Sequence, residues 1–360
     1  MRILHVTPWF PTEENPLHAI YVERQINSLS GLCQQMVLHI DLNFGAGPNL
    51  RTQKNGVLRI QQRVVFTSWR LREWIFYRIL KRELRRLNAH ESFSHINFFI
   101  AYPALIHYGK LKPYLPVKKL ITEHWSAYQF NFNVESVPDR LRKIFHHEIP
   151  LAVVSHSLAN DIRKFSGVMP PITVIPNVVD TKIFNCQNQI RGNYYFTVSL
   201  WKYPKKPLEL LEVFRKLKEV GRPQELVIGG YGPEEDNVLK FIKDYDLGDV
   251  IRYVGRLWPE QIAEEMNRAK AFILPTDYET FSVVIAEALS CGCPVIASKS
   301  GAIPELINDR NGILVDNNWE ESLQKFDSTS YDHSAISKSA IEQFSLEVVG
   351  AKYFNLLKQL

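Results

Sequence analysis

The sequence predicts an α/β protein with two parallel-sheet domains, and three observations support this. Short apolar, β-branched segments alternate with segments of helical periodicity, which is typical of βαβ units. These strand segments fall into two sets and are too many for one sheet of ordinary size. The chain has 360 residues, whereas a single hydrophobic core stops growing at roughly 250–300 residues. We therefore expect two domains, each built on its own sheet.

Ten segments are predicted as strands, five in each half of the chain. Those of the first half are Arg2–Val6, Met36–Ile40, Val117–Thr122, Leu151–Ser155 and Ile172–Ile175. Those of the second half are Tyr195–Leu200, Glu225–Gly229, Val250–Val254, Lys270–Leu274 and Pro294–Ala297. The polar stretch Asp180–Asn193 separates the two sets, so we place the domains at 1–185 and 186–344. Residues 345–360 are predicted as a terminal helix because Ser345 can cap an amphipathic segment.

The composition excludes several classes of protein. With 45% hydrophobic and 22% charged residues, the chain is typical of globular domains. No apolar run approaches the ~20 residues of a membrane-spanning helix. The apolar run at the start is shorter than the roughly 7–15 residues of a secretory signal. The four cysteines form no CxxC pair and fit reduced thiols, so we expect a cytoplasmic protein.

Charge is distributed unevenly along the chain. Residues 1–185 hold 23 Lys/Arg and 13 Asp/Glu, a net charge of +10, whereas residues 186–360 hold 20 and 25, a net charge of −5. A basic first half favours an anionic surface or substrate there. The alternative is that net charge simply varies between domains.

The segment Arg70–Arg86 is predicted as a basic amphipathic helix. One face carries Phe76, Tyr77, Leu80, Leu84 and Leu87, and the other carries Arg78, Lys81, Arg82, Arg85 and Arg86. Such a helix can lie on an anionic membrane. The alternative is a helix packed on the core with a solvated basic face. No nucleic-acid-binding module accompanies the charge, so no nucleic-acid partner is expected.

A strand, a loop and a helix follow one another between Ala271 and Ser290 and predict an anion site. The helix begins near Ser282, so the amides of Phe281, Ser282 and Val283 have no partner within it. At the carboxyl end of a parallel strand, such a helix start binds phosphate or diphosphate.

Two glutamates extend this site. Glu287, inside the helix, can accept hydrogen bonds from a sugar diol. Glu279, eight residues earlier in the loop, can contact the other end of the same ligand. The pattern therefore predicts a nucleoside diphosphate that carries a further group.

The same segment resembles the Glu-x7-Glu pattern of retaining glycosyltransferase family four. That family has the GT-B fold, with two Rossmann-like parallel-sheet domains facing a central cleft and a terminal helix that crosses back to the first domain. The matching residues in this segment are Glu279-Thr280-Phe281-Ser282, Glu287-Ala288-Leu289, Gly292, Pro294-Val295-Ile296-Ala297, Gly301, Pro304-Glu305 and Gly312-Ile313-Leu314-Val315. Matching stretches elsewhere are Met1–Phe10, Thr122–Trp125, Val153–Ser157, Val174–Asp180, Val198–Pro207, Val227–Pro233 and Tyr253–Gly255.

The resemblance implies a role for each site residue. The implied catalytic residues are Glu279, His124 and Lys205. The implied donor-binding residues are Glu287, Phe281, Ser282, Val283, Lys206 and Gly230. Glu287 would bind the ribose, Lys205 would neutralise the diphosphate, and His124 would lie near the anomeric carbon. Lys206 and Lys202 remain alternatives for the phosphate contact.

Two positions depart from the family pattern. Leu200 stands where the family often has an arginine, which leaves the diphosphate charge to the nearby lysines. Ala19 stands where related sequences tend to have glycine. A glycine there would permit a positive φ or a close approach to phosphate, so the contribution of this loop is in question.

The resemblance implies an enzyme that moves a hexose or related sugar from a nucleotide sugar to a glycan or lipid-pyrophosphate-linked acceptor. It implies retention of configuration and no metal or other cofactor. The basic first half, with Arg78, Arg82, Arg85 and Arg86 on the acceptor and membrane side, favours work at the inner face of a membrane in bacterial surface polysaccharide or lipopolysaccharide synthesis. The alternatives are a non-transferring epimerase or hydrolase of the same fold, or a membrane-docked scaffold with a degenerate site.

Overall fold

The computed structural model describes residues 1–45, 48–64, 68–130 and 138–360. Contacts divide the chain into two compact units. The first comprises Met1–Asn177 and Leu346–Leu360, and the second comprises Val178–Ser345. The sequence predicts this division after residue 185 instead. Residues 178–185 group with the second unit because Val179 pairs with Ser345 as an isolated β-bridge.

The first unit is built on an eight-stranded sheet. Its strands are β1 (Arg2–Thr7), β2 (Gln34–Phe44), β3 (Leu50–Lys54), β4 (Val57–Val64), β5 (His95–Phe99), β6 (Lys118–Glu123), β7 (Leu151–Val153) and β8 (Ile172–Val174). Their order is β3-β4-β2-β1-β5-β6-β7-β8, and every pair is parallel except β3–β4. Its helices include α1 (Ile20–Asn27), α2 (Trp69–His90), α3 (Tyr108–Leu111), α4 (Pro138–Phe145) and α5 (His156–Ser166). Strand β1 is buried from Ile3 to Thr7, as expected of a central parallel strand covered on both faces.

Three strands of this sheet were not predicted. Strands β3 and β4 form a hairpin whose turn residues Asn55 and Gly56 both have positive φ, 49° and 76°. That geometry suits a two-residue hairpin turn and explains the Asn-Gly pair. Strand β3 is exposed along its whole length, so it lacks the apolar run that marks the other strands. Strand β5, although fully buried, carries His95 and Asn97 among its five residues.

The second unit is built on a six-stranded parallel sheet. Its strands are β9 (Tyr194–Leu200), β10 (Glu225–Tyr231), β11 (Ile251–Gly255), β12 (Ala271–Leu274), β13 (Val295–Ser298) and β14 (Gly312–Val315), in the order β11-β10-β9-β12-β13-β14. Its helices are α6 (Pro207–Glu219), α7 (Glu235–Asp244), α8 (Pro259–Arg268), α9 (Val283–Ser290), α10 (Ile303–Leu306), α11 (Trp319–Asp327) and α12 (His333–Phe344). Strand β14 is the one strand of this unit that is not predicted from the sequence. The hydrophobic core of the second unit packs around Tyr195, Trp201 and Phe214, each at most 1% exposed.

The last helix, α13 (Leu346–Gln359), belongs to the first unit. Tyr353 is fully buried, and its hydroxyl accepts a hydrogen bond from Asn97 Nδ2 at 2.8 Å and contacts Thr122 Oγ1. Gly350 lies against the carbonyl oxygen of Ser28, where an added Cβ would come within 2.1 Å. The helix is therefore fixed to the sheet by a buried polar network and by a close backbone contact.

Helix α2 corrects the membrane prediction made from its apolar face. Phe76, Leu80, Leu84 and Leu87 are buried within the first unit, so that face cannot insert into lipid. Tyr77 is half-buried. The helix packs on the core as the alternative interpretation predicted, with its basic face outward.

Four outward arginines of α2 have partners within the protein. Arg82 and Arg86 both contact the buried carboxylate of Glu83, at 2.9 and 3.2 Å. Arg85 donates to the Tyr114 hydroxyl at 2.8 Å. Arg78 lies over the ring of Trp74. Across residues 1–45, 48–64, 68–130 and 138–360, no helix has both the length and the apolar composition needed to cross a bilayer.

Candidate functional site

Two loops of the second unit are joined at the carboxyl ends of β9 and β12. Lys205, after β9, pairs with Thr276, after β12, as an isolated antiparallel bridge. The Asp277 amide donates to the Pro204 carbonyl at 2.9 Å. These backbone contacts bring the lysine segment and the segment before α9 together at the same edge of the sheet.

The pairing places two of the predicted catalytic residues in contact. Lys205 Nζ forms an ion pair with Glu279 Oε1, and both side chains are largely buried, at 18% and 14% exposure. Thr276 Oγ1 lies 3.4 Å from the same carboxylate oxygen. Partial burial makes this electrostatic contact stronger than a surface ion pair.

Gly301 supports the backbone of Glu279, a role that sequence reasoning did not assign. Its φ is +54°, and an added Cβ would lie 2.2 Å from the Glu279 carbonyl oxygen. The next amide, of Ala302, donates to that oxygen at 2.9 Å. Only glycine allows this approach. The glycine belongs to the matching motif, but its role depends on a tertiary contact.

The structure separates the three lysines that were alternatives for the phosphate contact. Lys206 is held by Glu209 at 3.0 Å and by Asp277 at 2.7 Å. Hydrogen bonds to Asp277 and Glu209 raise the pKa of Lys206. Lys202 is exposed. Lys205 is thus the one of the three that contacts Glu279.

The start of α9 has an unusual backbone. Ser282 precedes the helix with φ 70° and ψ 80°, a left-handed conformation that costs a non-glycine residue roughly 1–2 kcal/mol. Ser282 is 5% exposed, and its hydroxyl has no hydrogen-bond partner. Buried hydroxyl groups without a partner are rare in native proteins. Strain together with an unpaired polar atom is typical of ligand-binding sites.

The amides around Ser282 point to the same conclusion. Among the residues that the structure describes, no backbone carbonyl accepts a hydrogen bond from the amides of Phe281, Ser282 or Val283. The Phe281 ring itself is buried against Phe344, with centroids 5.6 Å apart. Phe281 therefore contributes a backbone group rather than a side chain to the site. Donors at a helix start favour an anion.

Glu287 lies one turn further along α9 and is 8% exposed. The helix thus carries a nearly buried carboxylate on the same element as the unpaired donors.

Gly230 is explained by packing. Its φ is +125°, and an added Cβ would come within 2.1 Å of the Ser199 carbonyl and 2.6 Å of Trp201 Nε1.

His124 belongs to the first unit and follows the carboxyl end of β6. It is 7% exposed, and its ring lies against Tyr21 and Phe99, with centroids 4.9 and 6.0 Å apart. Neither ring nitrogen makes a hydrogen bond of ordinary geometry. Burial lowers the pKa of His124 to about 3, although the Asn177 side chain partly opposes the shift. The imidazole is therefore neutral at physiological pH.

Glu123, beside His124, is a buried acid that sequence reasoning did not select. Its Oε1 accepts hydrogen bonds from the Ala101 amide at 2.7 Å and the Tyr128 hydroxyl at 2.5 Å. Burial raises the pKa of Glu123 to about 7, against the lowering effect of these hydrogen bonds. Its position directly after a predicted strand was the available signal.

Ala19 has the backbone that the sequence analysis associated with glycine. It adopts φ 52° and ψ 32° immediately before α1. The left-handed conformation is thus retained despite the Cβ. In the part of the chain that the structure describes, no group of three or more His, Cys, Asp or Glu is placed to hold a metal ion.

Residues 182–343 match the family model described as glycosyl transferases group 1. N-acetyl-alpha-D-glucosaminyl L-malate synthase of Bacillus anthracis is 26% identical over 168 residues, which are 44% of this chain and 43% of that protein. O-antigen chain mannosyltransferase B of Escherichia coli is 30% identical over 167 residues, 44% of each chain. The chain spans less than half the length of these curated relatives.

Solved structures are similar over the whole chain. Sucrose-phosphate synthase from Thermosynechococcus elongatus matches with a TM-score of 0.78 at 17% identity, covering 100% of this chain and 99% of that one. HepE from Anabaena, solved in complex with UDP and glucose, matches with a TM-score of 0.74 at 15% identity, covering 100% of both. The likeness confirms the fold predicted from the sequence, with two parallel-sheet α/β domains of the GT-B class.

Proposed function

Because residues 182–343 match the family model described as glycosyl transferases group 1, we propose that the chain is a retaining glycosyltransferase. It moves a hexose or a related sugar from a nucleotide-diphosphate sugar to a glycan or lipid-linked glycan. The observation that supports this best is the start of α9, where the buried Ser282 hydroxyl has no partner and Lys205 contacts the neighbouring Glu279.

In this proposal the diphosphate of the donor occupies the start of α9. The amides of Ser282 and Val283 and the Ser282 hydroxyl donate to its oxygens. Lys205 exchanges its contact with Glu279 for a phosphate oxygen. Glu279 is then free to accept hydrogen bonds from the donor sugar, and Glu287 accepts them from the ribose.

The chemistry follows from where charge develops. The bond between the anomeric carbon and the phosphate oxygen breaks, so negative charge gathers on the diphosphate. Fixed amides and Lys205 stabilise that charge, which is why the proposal requires no metal. The acceptor oxygen forms the new bond on the face from which the phosphate leaves, and its proton passes to the departing phosphate oxygen. His124, which is neutral and has neither ring nitrogen in a hydrogen bond of ordinary geometry, would bind a sugar hydroxyl.

Nucleotide binding is the first test. Thermal unfolding is measured with UDP, GDP, ADP and CMP, on the wild type and on Glu287→Ala. A nucleotide at ~100 times its dissociation constant adds about 2.7 kcal/mol of stability. UDP is included because a structurally similar protein was solved with it. We expect one nucleotide to stabilise the wild type and not Glu287→Ala, whereas Glu320→Ala, an exposed acid of α11, responds like the wild type. No stabilisation by any nucleotide would favour the scaffold alternative.

Transfer is the second test. The proposed setting is synthesis of bacterial surface polysaccharide, since one relative is an O-antigen chain mannosyltransferase. Labelled nucleotide sugars are incubated with membranes that supply lipid-linked glycans, and the linkage of the product is determined by NMR. We expect a new glycoside with the donor's anomeric configuration, formed equally well in EDTA. Free sugar or an epimerised nucleotide sugar as the only product would identify a hydrolase or an epimerase instead.

We also propose contact with anionic lipid through the basic face of α2, at the cytoplasmic side. The support is the outward arginines and four free cysteines, which fit a reducing compartment. Since the apolar face is buried, this contact is electrostatic and weakens with salt. Flotation with phosphatidylglycerol vesicles should recover the wild type at low salt. Recovery should fall several-fold for the double variant Arg78→Glu/Arg85→Glu and not for Arg222→Glu, a change at an exposed site of the second unit. Equal recovery of all three proteins would contradict the proposal.

A further inference from the structure

The first unit contains an aromatic pocket of about 320 Å³ at the carboxyl end of its sheet. Segments after β1, β5 and β6 contribute Trp9, Tyr102 and Trp125, and the first turns of α2 contribute Trp69. None of these side chains was selected from the sequence as a site residue. The volume of the pocket lies at the lower end of the range for pockets that hold small ligands.

The four aromatic rings form a continuous series. Trp9 and Trp125 meet edge to face with centroids 5.3 Å apart. Trp125 lies 6.0 Å from Tyr102, and Tyr102 lies 6.4 Å from Trp69. Trp9 and Trp125 are only half-buried. Flat apolar surface of this kind is therefore available to a ligand in the pocket.

The carboxylates that line the pocket are compensated by arginines outside its lining. Asp41 Oδ2 accepts hydrogen bonds from Asn43 at 2.8 Å and from Arg59 at 3.1 Å. Glu73 is fully buried and forms a two-pronged ion pair with Arg140. The negative charges of Asp41 and Glu73 are thus balanced by arginines. Asp41 Oδ1 can still accept a hydrogen bond.

Arg72 is the only permanently charged cation among the described residues that line the pocket. It donates to the Leu42 carbonyl at 3.2 Å and lies over the rings of Phe44 and Trp69, at 4.5 and 5.4 Å from their centroids. These contacts fix the guanidinium beside the pocket wall. Among the described residues that line the pocket, a pyrophosphate would therefore meet one cation, already engaged by these contacts, beside the carboxylates of Asp41 and Glu73.

We propose that this pocket binds one neutral pyranose ring of the acceptor glycan. The C–H face of the ring would stack on Trp9 and Trp125, and its hydroxyls would donate to Asp41. The assignment to the acceptor rests on the proposed function. The chemistry of the pocket distinguishes a glycan acceptor from the pyrophosphate of a lipid carrier, which would have to lie elsewhere.

Saturation-transfer NMR on the full chain tests this proposal. The probes are methyl α-D-mannopyranoside, methyl α-D-galactopyranoside and methyl N-acetyl-β-D-glucosaminide, each at millimolar concentration. We expect transfer to the ring protons of at least one glycoside. It should fall at least fivefold in Trp125→Ala and be largely restored in Trp125→Phe. Trp74→Ala, on the same helix as Trp69 but 46% exposed and outside the pocket, should match the wild type. Inorganic pyrophosphate should not compete.

Three outcomes would overturn the proposal: no transfer to any glycoside, transfer that is unchanged in Trp125→Ala, or displacement by pyrophosphate. If Trp125→Ala has a lowered thermal midpoint, Trp9→Ala replaces it, with the same expectation. The nucleotide experiment above separates the two proposals. If a nucleotide stabilises the protein but no glycoside signal appears, the proposed transferase function stands and the proposed pocket ligand is overturned. If a glycoside signal is lost in Trp125→Ala but no nucleotide binds, the proposed pocket ligand stands and the transferase function is overturned.

Discussion

Lys205 and Glu279, 74 residues apart in the sequence, form an ion pair at the carboxyl edge of the second sheet. Without Glu279, Lys205 would be an unpaired charge in a largely buried position. The same would hold for Glu279 without Lys205. In the proposed function, the pair holds the lysine where the anionic donor would arrive, and it engages one oxygen of the carboxylate. Exchange of this contact is the step by which donor binding would prepare both residues.

We expect Lys205→Ala to lower kcat by about 10²–10³-fold, the usual effect of removing one fixed donor to developing negative charge. Lys206→Ala is the matched control, because Lys206 is already engaged by Glu209 and Asp277. Steady-state kinetics with the identified nucleotide sugar measure both. A loss for Lys206→Ala as large as that for Lys205→Ala would show that the phosphate contact was assigned to the wrong lysine.

Ser282→Gly should separate stability from binding. Glycine relieves the left-handed backbone, and the unpaired hydroxyl disappears, so the free energy of unfolding should rise by about 1 kcal/mol. The affinity for nucleotide should nevertheless fall several-fold, because one donor to the diphosphate is lost. Denaturant unfolding and calorimetric titration measure the two quantities.

Ala19→Gly is the control for Ser282→Gly. Ala19 has a similar backbone, with φ 52°, but lies in the first unit and outside the proposed diphosphate site. It should gain stability without losing nucleotide affinity. If Ser282→Gly binds nucleotide as well as the wild type, the hydroxyl does not contact the diphosphate.

Gly301→Ala should impair catalysis by moving Glu279. The added Cβ would overlap the Glu279 carbonyl oxygen, so the backbone of Glu279 must shift, at a cost of about 1–3 kcal/mol in stability. We expect kcat to fall at least tenfold, with a smaller change in nucleotide affinity. Gly248→Ala, where nothing lies within 4 Å of the new Cβ, should leave both unchanged. Full activity of Gly301→Ala would show that the position of Glu279 is not critical.

Burial of His124 predicts a particular loss of stability in acid. Its pKa is about 3 in the folded protein and 6.5 when exposed. The unfolded state therefore binds more protons below pH 6.5, and the stability of the wild type falls as the pH drops from 6.5 towards 3. His124→Gln removes this contribution, so its stability relative to the wild type should rise by up to about 1.4 kcal/mol per pH unit in that range.

Urea unfolding at pH 7, 6 and 5 measures this difference. His146→Gln, at an exposed position, is the control. Glu123→Gln should deviate in the opposite direction between pH 4.5 and 7. Its raised pKa makes the folded state the one that binds more protons in that range, so the wild type gains stability there as the pH falls. A pH-independent difference for His124→Gln would mean that the folded protein accepts the proton without cost.

The sequence predicted the ten strands whose apolar, β-branched residues form continuous runs, to within a few residues of their ends. It failed at β3 because Leu50–Lys54 is exposed and polar, and at β5 because His95 and Asn97 interrupt the apolar pattern. The buried polarity of Asn97 makes sense only with its partners Thr122 and Tyr353, which lie far away in the chain. Hairpin β3–β4 did carry a usable signal, the Asn-Gly turn.

For the candidate site, the sequence predicted which residues take part but not how they are arranged. The Lys205–Glu279 contact depends on the pairing of two loops, so the choice between Lys205 and Lys206 could not be made from spacing. The strained backbone of Ser282 and the contact between Gly301 and the Glu279 carbonyl also depend on tertiary structure, so sequence spacing does not reveal them. The membrane interpretation of α2 was wrong about its apolar face for the same reason, since an amphipathic pattern does not show which surface covers it.

The anchoring of α13 affects how the chain can fold during synthesis. Domains usually fold in the order in which they leave the ribosome. Here Tyr353 completes a buried polar network with Asn97 and Thr122, so the first unit lacks a part of its interior until residues 346–360 have been made. The second unit, Val178–Ser345, is contiguous and available earlier. The first unit can therefore complete its core only after the second unit has been synthesised.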